Sequence, residues 1–488
     1  MDFFSLATWT MVGAILHAMI QLVIMGRVIM SRRGVGETLS WVMVVLVLPI
    51  VGPLVYLLIG ELRLGRSRVL RVQKIFDPIR RRLNALDRPQ LHVHPSELGH
   101  GGELVCYAGY RMLQVPALPG NRLELLGDWN AIFDRLIADI DAAKINCDIE
   151  FYIWHSGGRS AEVVAALQRA RKRGVACRIL VDAIGSQAFL RSHEATQLRD
   201  AGAQIQAALP GGLWRILFIR FDLRMHRKIV LIDDQIAWTG SFNLIDPRFF
   251  KREAKVGQWI DAMVRMQGPA VEALAITFQS DWHTETSSAD EDLPDLTGEQ
   301  PLNQEGSCIV QVLPSGPANR VEAIEQVLLT AIYSARKEIV ITSPYFVPSE
   351  SLQMALASAA QRGVQVTVIV PKKVDSILVR YASRAFKGYL LHSGVAIALY
   401  HGGLLHTKSV TIDRQLSLFG SLNMDPRSLR LNFEVTLAIY DVPFAEELRQ
   451  LQQSYIAQSE WMHLATWETR SHTARFIENI ARLLGPLL

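Results

Sequence analysis

Two apolar runs dominate the start of the chain, Phe3 to Gly26 and Thr38 to Gly60, each free of Asp, Glu, Lys and Arg. As helices rising about 1.5 Å per residue, either would cross a hydrocarbon core of roughly 30 Å. The pattern predicts two membrane helices within residues 1–65. Asp2 is the only charged side chain ahead of the first run, so the basic stretch of a cleaved leader is missing and the run is read as a retained segment. Arg27, Arg32 and Arg33 lie between the runs, against Arg63, Arg66, Arg68, Arg71, Lys74 and Arg80 after the second. The larger cluster predicts a cytoplasmic remainder and, after two crossings, a cytoplasmic amino terminus. Pro49 and Pro53 leave a second form open, a shallow hairpin that inserts without crossing.

Beyond residue 66 the hydrophobic rhythm changes. Continuous β-rich runs (Cys147 to Trp154, Cys177 to Val181, Ile229 to Ile232, Ile339 to Thr342, Val364 to Val370) alternate with helix-like segments, the pattern of buried strands in a layered α/β domain. The chain also repeats itself. His226-Arg-Lys228, Asp233, Gly240-Ser241-Phe-Asn243 and Asp246-Pro247-Arg248 recur as His406-Thr-Lys408, Asp413, Gly420-Ser421-Leu-Asn423 and Asp425-Pro426-Arg427, with the His, Lys, Asp, Gly, Ser and Asn all at one common offset. Residues 66–120 therefore read as a basic connector, 121–284 and 306–488 as two copies of one α/β domain, and 285–305, rich in acidic residues and without Lys or Arg, as an exposed linker.

Side chains two apart on a strand share a face, so each motif sets an imidazole beside a fixed ammonium. Two such motifs facing each other suit a phosphodiester: Lys and Asn stabilise charge on the non-bridging oxygens, one imidazole attacks phosphorus and the other protonates the departing alkoxide. A degenerate repeat kept for packing is the alternative, but both copies retain His, Lys, Ser and Asn, polar groups that are unfavourable when buried without purpose.

Two H-x-K-x4-D motifs, each followed by G-S-x-N, resemble the phospholipase D superfamily, and the hydrophobic start with D-P-R after each motif is similar to the bacterial cardiolipin synthases. The resemblance implies one active site built from His226, Lys228, Asp233, His406, Lys408 and Asp413, a phosphohistidine intermediate and no cofactor or metal. It implies His226 as nucleophile and His406 as the acid that turns base, an order the residues alone leave open. Ser241, Asn243, Ser421 and Asn423 would surround the phosphate, and Glu253 and Glu434, at nearly equal distances beyond their histidines, would orient the imidazoles. By the same analogy Asp233 and Asp413 are structural ends of the motif and not proton carriers.

The implied reaction joins two phosphatidylglycerol molecules into cardiolipin and glycerol at a bacterial inner membrane, with the catalytic domains cytoplasmic. Three readings compete: a membrane phospholipase D in which water takes the second step, a phosphodiester nuclease, and a non-enzymatic scaffold. Lys plus Arg at 51 against Asp plus Glu at 47 gives a formal charge of only +4, which weighs against nucleic acid as partner. The oligomeric state is not written in the residues. Four cysteines without C-x-x-C spacing read as free thiols, and His92, His94 and His100 as solvated loop residues. Leu213 to Phe221 mixes large apolar and basic residues ahead of the first motif, which fits a lipid-facing lip or a buried strand pair. Phe476, Ile477, Ile480, Leu483 and Leu484 at helical spacing predict a terminal helix, packed on its own domain or resting on lipid.

Overall fold

The structure, a computed structural model, describes residues 3–31, 34–88, 91, 93–210, 220, 222–286, 303–318 and 320–483. It forms two compact units, residues 1–66 with 211–223, and residues 67–210 with 224–488.

In the first unit Phe3–Met30 is a single helix of 28 residues, of which Thr8–Met30 is long and apolar enough to cross a bilayer. The second run, expected as one helix, is two shorter apolar helices. Val35–Val47 ends where Leu48 leaves helical torsions (φ −113°, ψ 83°), because the following Pro49 disfavours the helical region for the residue before it. The chain resumes as Val51–Val55 and a π turn, Tyr56–Gly60, and it has reversed. The Trp41 and Tyr56 rings meet edge to face at 5.2 Å, whereas an unbroken helix would hold them about 22 Å apart. Glu61 returns to Arg27 in an ion pair at 2.5 Å, and Gln21 Nε2 donates to the Val45 carbonyl at 2.9 Å. Ile24, Val28, Trp41, Val45 and Tyr56 form the small core of this hairpin.

Gly52 sits against the Val44 carbonyl in a space a Cβ would fill. Gly52→Val should therefore open the hairpin, and a disulfide between cysteines placed at 27 and 61 should lose most of its yield in membranes carrying that variant.

In the second unit fifteen strands make one mixed sheet whose two halves mirror each other about the middle. Ala117–Leu126 and Cys308–Ser315 lie side by side, antiparallel, at the centre. Outward from the first come Met263–Gln267, Ile236–Gly240, Ile229–Ile232, Asn146–Phe151, Ala176–Asp182 and Gln204–Ala208. Outward from the second come Glu434–Tyr440, Leu416–Gly420, Ser409–Ile412, Glu338–Thr342, Gln365–Pro371 and Ala396–Tyr400, closed by Ser459–Trp461. In both halves the inner strands are antiparallel and the next three parallel, crossed by helices such as Arg159–Lys172 and Glu350–Gln361, and Ser459–Trp461 adds an antiparallel edge to the second half. Strands such as Ile229–Ile232 and Ser409–Ile412 are buried at every position, which is why the first reads as an unbroken apolar run and the second carries no charge. Each half has its own large core, one around Phe133, Phe151 and Trp238, the other around Ile341, Phe346 and Leu418.

Glu285 is the last residue of the buried helix Ala270–Glu285 and pairs with Arg68, so the linker does not begin there as an exposed segment; residues 287–302 lie outside the described residues. The proposed lip, Leu213 to Phe221, also lies outside them except for Arg220, which pairs with Asp222 at 2.6 Å. So do His92 and Leu484. The terminal helix His472–Leu483 packs through Ala481 on Ala382 and Phe386 of Ile377–His392 and leaves Phe476, Ile477 and Ile480 exposed. All four cysteines are free.

Candidate active site

His226 and Lys228 lead into strand Ile229–Ile232, and His406 and Lys408 into Ser409–Ile412, so both motifs enter the sheet at equivalent places. The lead-in is fixed by backbone bonds to the opposite half. His226 N–H donates to the Phe433 carbonyl at 2.9 Å, and Phe433 N–H to that of Arg224 at 2.9 Å. In the other copy Leu404–Leu405 runs parallel to Trp259–Ile260, and His406 N–H donates to the Ile260 carbonyl at 2.7 Å.

The residue after each of those carbonyls is a carboxylate, and it takes the imidazole. Glu434 Oε2 accepts from His226 Nδ1 at 2.7 Å, and Asp261 Oδ1 accepts from His406 Nδ1 at 2.7 Å. Each histidine is thus oriented by the other half of the molecule. This corrects the assignment of Glu253, which sits exposed in the short turn Arg252–Ala254. It also corrects the pairing within one copy that was expected for Glu434. Asp261 lies further beyond His226 than Glu434 lies beyond His406, because the loop after D-P-R is longer in the first copy.

The serines stand behind these carboxylates. Ser241 Oγ donates to Asp261 Oδ1 at 2.6 Å and Ser421 Oγ to Glu434 Oε2 at 2.6 Å, each chain running hydroxyl, carboxylate, imidazole. The hydroxyls of Ser241 and Ser421, expected beside the phosphate, are thus engaged by the His-bound carboxylates. Of the asparagines, Asn243 accepts from Ile153 N–H at 3.2 Å, and among the described residues its buried Nδ2 and the buried Oδ1 of Asn423 have no hydrogen-bond partner. Asp233 accepts backbone N–H bonds from Lys144, Ile145 and Asn146, and Asp413 from Arg336, Lys337 and Glu338. Those bonds hold the ends of neighbouring strands, away from the imidazoles.

Lys228 and Lys408 are buried, and each Nζ donates to the carbonyl of its own histidine at 2.5 Å. Burial drives their pKa values down, to about 8 for Lys228 and about 7 for Lys408, against the pull of Glu434 and Asp261. Burial also pushes both imidazoles down, to about 4, against Glu434 for His226 and Asp261 for His406. Burial works against ionisation of the two carboxyls, but the facing imidazoles and lysines overcome it and hold both below the usual carboxylate range. Lys408 also depresses His226, and Lys228 depresses His406, so all four groups share one field. Tyr152 packs on His226 at 4.8 Å and Trp259 on His406 at 4.3 Å between ring centroids. Neither aromatic, nor Asp261, was singled out in the sequence. Among the described residues no three His, Cys, Asp or Glu side chains gather as a metal site.

A doubled α/β unit with one histidine pair shared between its copies defines a phospholipase D-like protein. A solved structure with this fold, a phosphatidylserine synthase from Haemophilus influenzae, superposes with TM-score 0.60 at 16% identity, covering 79% of this chain and 100% of that one. The model of the family described as cardiolipin synthase, PLD-like domain, matches residues 136–282 and 328–455, and a phospholipase D-nuclease N-terminal model matches residues 20–61. Cardiolipin synthase A of Erwinia tasmaniensis is 42% identical over 95% of both chains, that of Proteus mirabilis 43% over 95% of both, and that of Serratia proteamaculans 41% over 100% of this chain and 99% of its own. The chain belongs to the cardiolipin synthase family.

Proposed function

We propose that the protein joins two phosphatidylglycerol molecules into cardiolipin, releasing glycerol. The exchanged carboxylate–histidine pairs carry this reading, because they make two imidazoles with matching tautomers, Nδ1–H held and Nε2 free, around one pair of lysines. In the first step His226 Nε2 attacks phosphorus, the bond from phosphorus to the glycerol oxygen breaks, and His406 gives that oxygen its proton. In the second step His406 takes the proton from the terminal hydroxyl of the second lipid, whose oxygen displaces His226 from phosphorus. Lys228 and Lys408 balance the charge on the non-bridging oxygens, and Asn243 Nδ2 donates a hydrogen bond to one of them.

The charges of these four groups set the pH dependence. With both imidazoles near 4, His226 is neutral and ready to attack at neutral pH, and the proton on His406 arrives with the anionic phosphate that raises its pKa. Lysines depressed to about 7 and about 8 lose charge as pH rises through that window. KM for phosphatidylglycerol should therefore climb from pH 7 to 9, with kcat changing less. Flat KM across that range would contradict phosphate binding by these two amines.

The hairpin puts Glu61 back beside Arg27, so one crossing by Phe3–Met30 leaves Arg27 and Glu61 on one side, the cytoplasmic one, and the amino terminus outside. Thiol labelling of a cysteine at position 2 in intact cells checks this. The activity is tested by mass-resolved lipid products from purified protein in phosphatidylglycerol vesicles: cardiolipin with free glycerol is expected, while phosphatidic acid alone would make the protein a hydrolase.

A further inference from the structure

Behind the strand that carries His226 and Lys228 lies a cavity of about 520 Å³, within the size range of small-molecule pockets. Its walls are Val72, Ile75, Ile79 and Leu83 of helix Arg66–Ala85, Ile276 of Ala270–Glu285, and Phe433. The charges deep in it are already matched, Arg227 with Asp281 and Arg68 with Glu285, although among the described residues the buried Arg68 Nε, beside the Phe433 ring, has no partner. The mouth is different. Arg80, Arg111 and Arg320 line it, all three exposed, and among the described residues none has an ion pair. Among the described residues the one acidic side chain on the lining is Asp281, which is taken by Arg227. Phe76 on the lining is exposed, and so is Tyr107, whose ring lies against Arg111, apolar neighbours of basic groups of the kind that rest on anionic lipid.

We propose that this cavity binds an anionic phospholipid, with one acyl chain between helices Arg66–Ala85 and Ala270–Glu285 and its phosphate on Arg80, Arg111 and Arg320. The site is separate from the catalytic face, because Arg227 alternates with His226 and Lys228 and points the other way. It nevertheless touches the catalytic apparatus. The Phe433 carbonyl holds the backbone of His226, and Arg227 Nε donates to the Glu434 carbonyl at 2.9 Å. A chain packed against Phe433 thus bears on the segment that orients the nucleophile.

The test uses the full chain in phosphatidylcholine vesicles containing phosphatidylglycerol with a diazirine near the end of one acyl chain. After irradiation, peptides covering residues 72–83 and 276–284 should carry label, and phosphatidylcholine bearing the same photoreactive chain should label them about tenfold less. Ile79→Trp with Ile276→Trp fills the cavity and should lower that label about tenfold, and Arg80→Glu with Arg111→Glu should lower it similarly. Equal labelling by the two lipids in the unaltered protein would overturn the proposal without recourse to any variant. Label that survives cavity filling in protein with an unchanged melting temperature would also overturn it. The readout is independent of turnover and can be repeated in His226→Ala protein, which separates it from the proposed reaction.

Discussion

His226→Ala and His406→Ala should each lower cardiolipin formation about 10⁴-fold or more, and a substrate with a good leaving group should tell them apart. When glycerol departs, its alkoxide needs a proton, which in the proposed mechanism comes from His406; when p-nitrophenolate departs, no proton is needed. Phosphatidyl-p-nitrophenol should therefore restore the first step to His406→Ala and release one equivalent of nitrophenol in a burst. The phosphatidyl group then stays on His226, since the base for the second step is missing. His226→Ala has no atom to accept the group and should show neither burst nor rescue. Intact-mass measurement of the quenched proteins reads the trapped species directly. A burst from His226→Ala would reverse the two roles, and rescue of neither variant would rule out a covalent route through these residues.

The duplicated motif was legible because its chemistry is local: His, Lys, Ser and Asn recur at one offset, and strand alternation places His226 beside Lys228 and His406 beside Lys408 without knowledge of the rest of the fold. What the sequence hid was the exchange between halves. Counting a fixed distance from each histidine led to Glu253, because a loop of unequal length shifts Asp261 without changing the strand that presents it. A register argument would have found it. Ser241 N–H bonds to the Ala262 carbonyl and Ser421 N–H to that of Val435, so in each copy the residue before the serine's partner is the carboxylate. Trp259-Ile260-Asp261 then lines up with Asn432-Phe433-Glu434. The serines' partners were hidden for a related reason, since a hydroxyl that can serve either a phosphate or a neighbouring carboxylate reveals its partner only in three dimensions. Hydropathy located the second apolar run but carries no information about direction. Pro49, and the fit of Gly52 under Val44, turned one continuous apolar run into a hairpin.

The exchange of carboxylates predicts an unusual pattern of defects. Glu434→Gln removes the acceptor that holds Nδ1–H of His226, although Glu434 belongs to the copy that carries His406. Asp261→Asn does the same to His406 from the copy that carries His226. An amide in place of the carboxylate can present its NH2 to the ring, which favours the wrong tautomer and withdraws the charge that stabilises imidazolium. Each variant should lose about 10³-fold in kcat with little change in KM. The decisive outcome is which histidine each one imitates. Glu434→Gln should behave as a weakened His226→Ala, slow with phosphatidyl-p-nitrophenol as well as with phosphatidylglycerol. Asp261→Asn should behave as a weakened His406→Ala, recovering its first step when the leaving group needs no proton. Glu253→Ala, whose side chain is exposed and makes no contact with either ring, should match the unaltered enzyme within about twofold. If Glu434→Gln were the variant rescued by nitrophenol, either the pairing across the two halves or the division of labour between the histidines would have to be abandoned, and the burst from the single histidine variants would decide which.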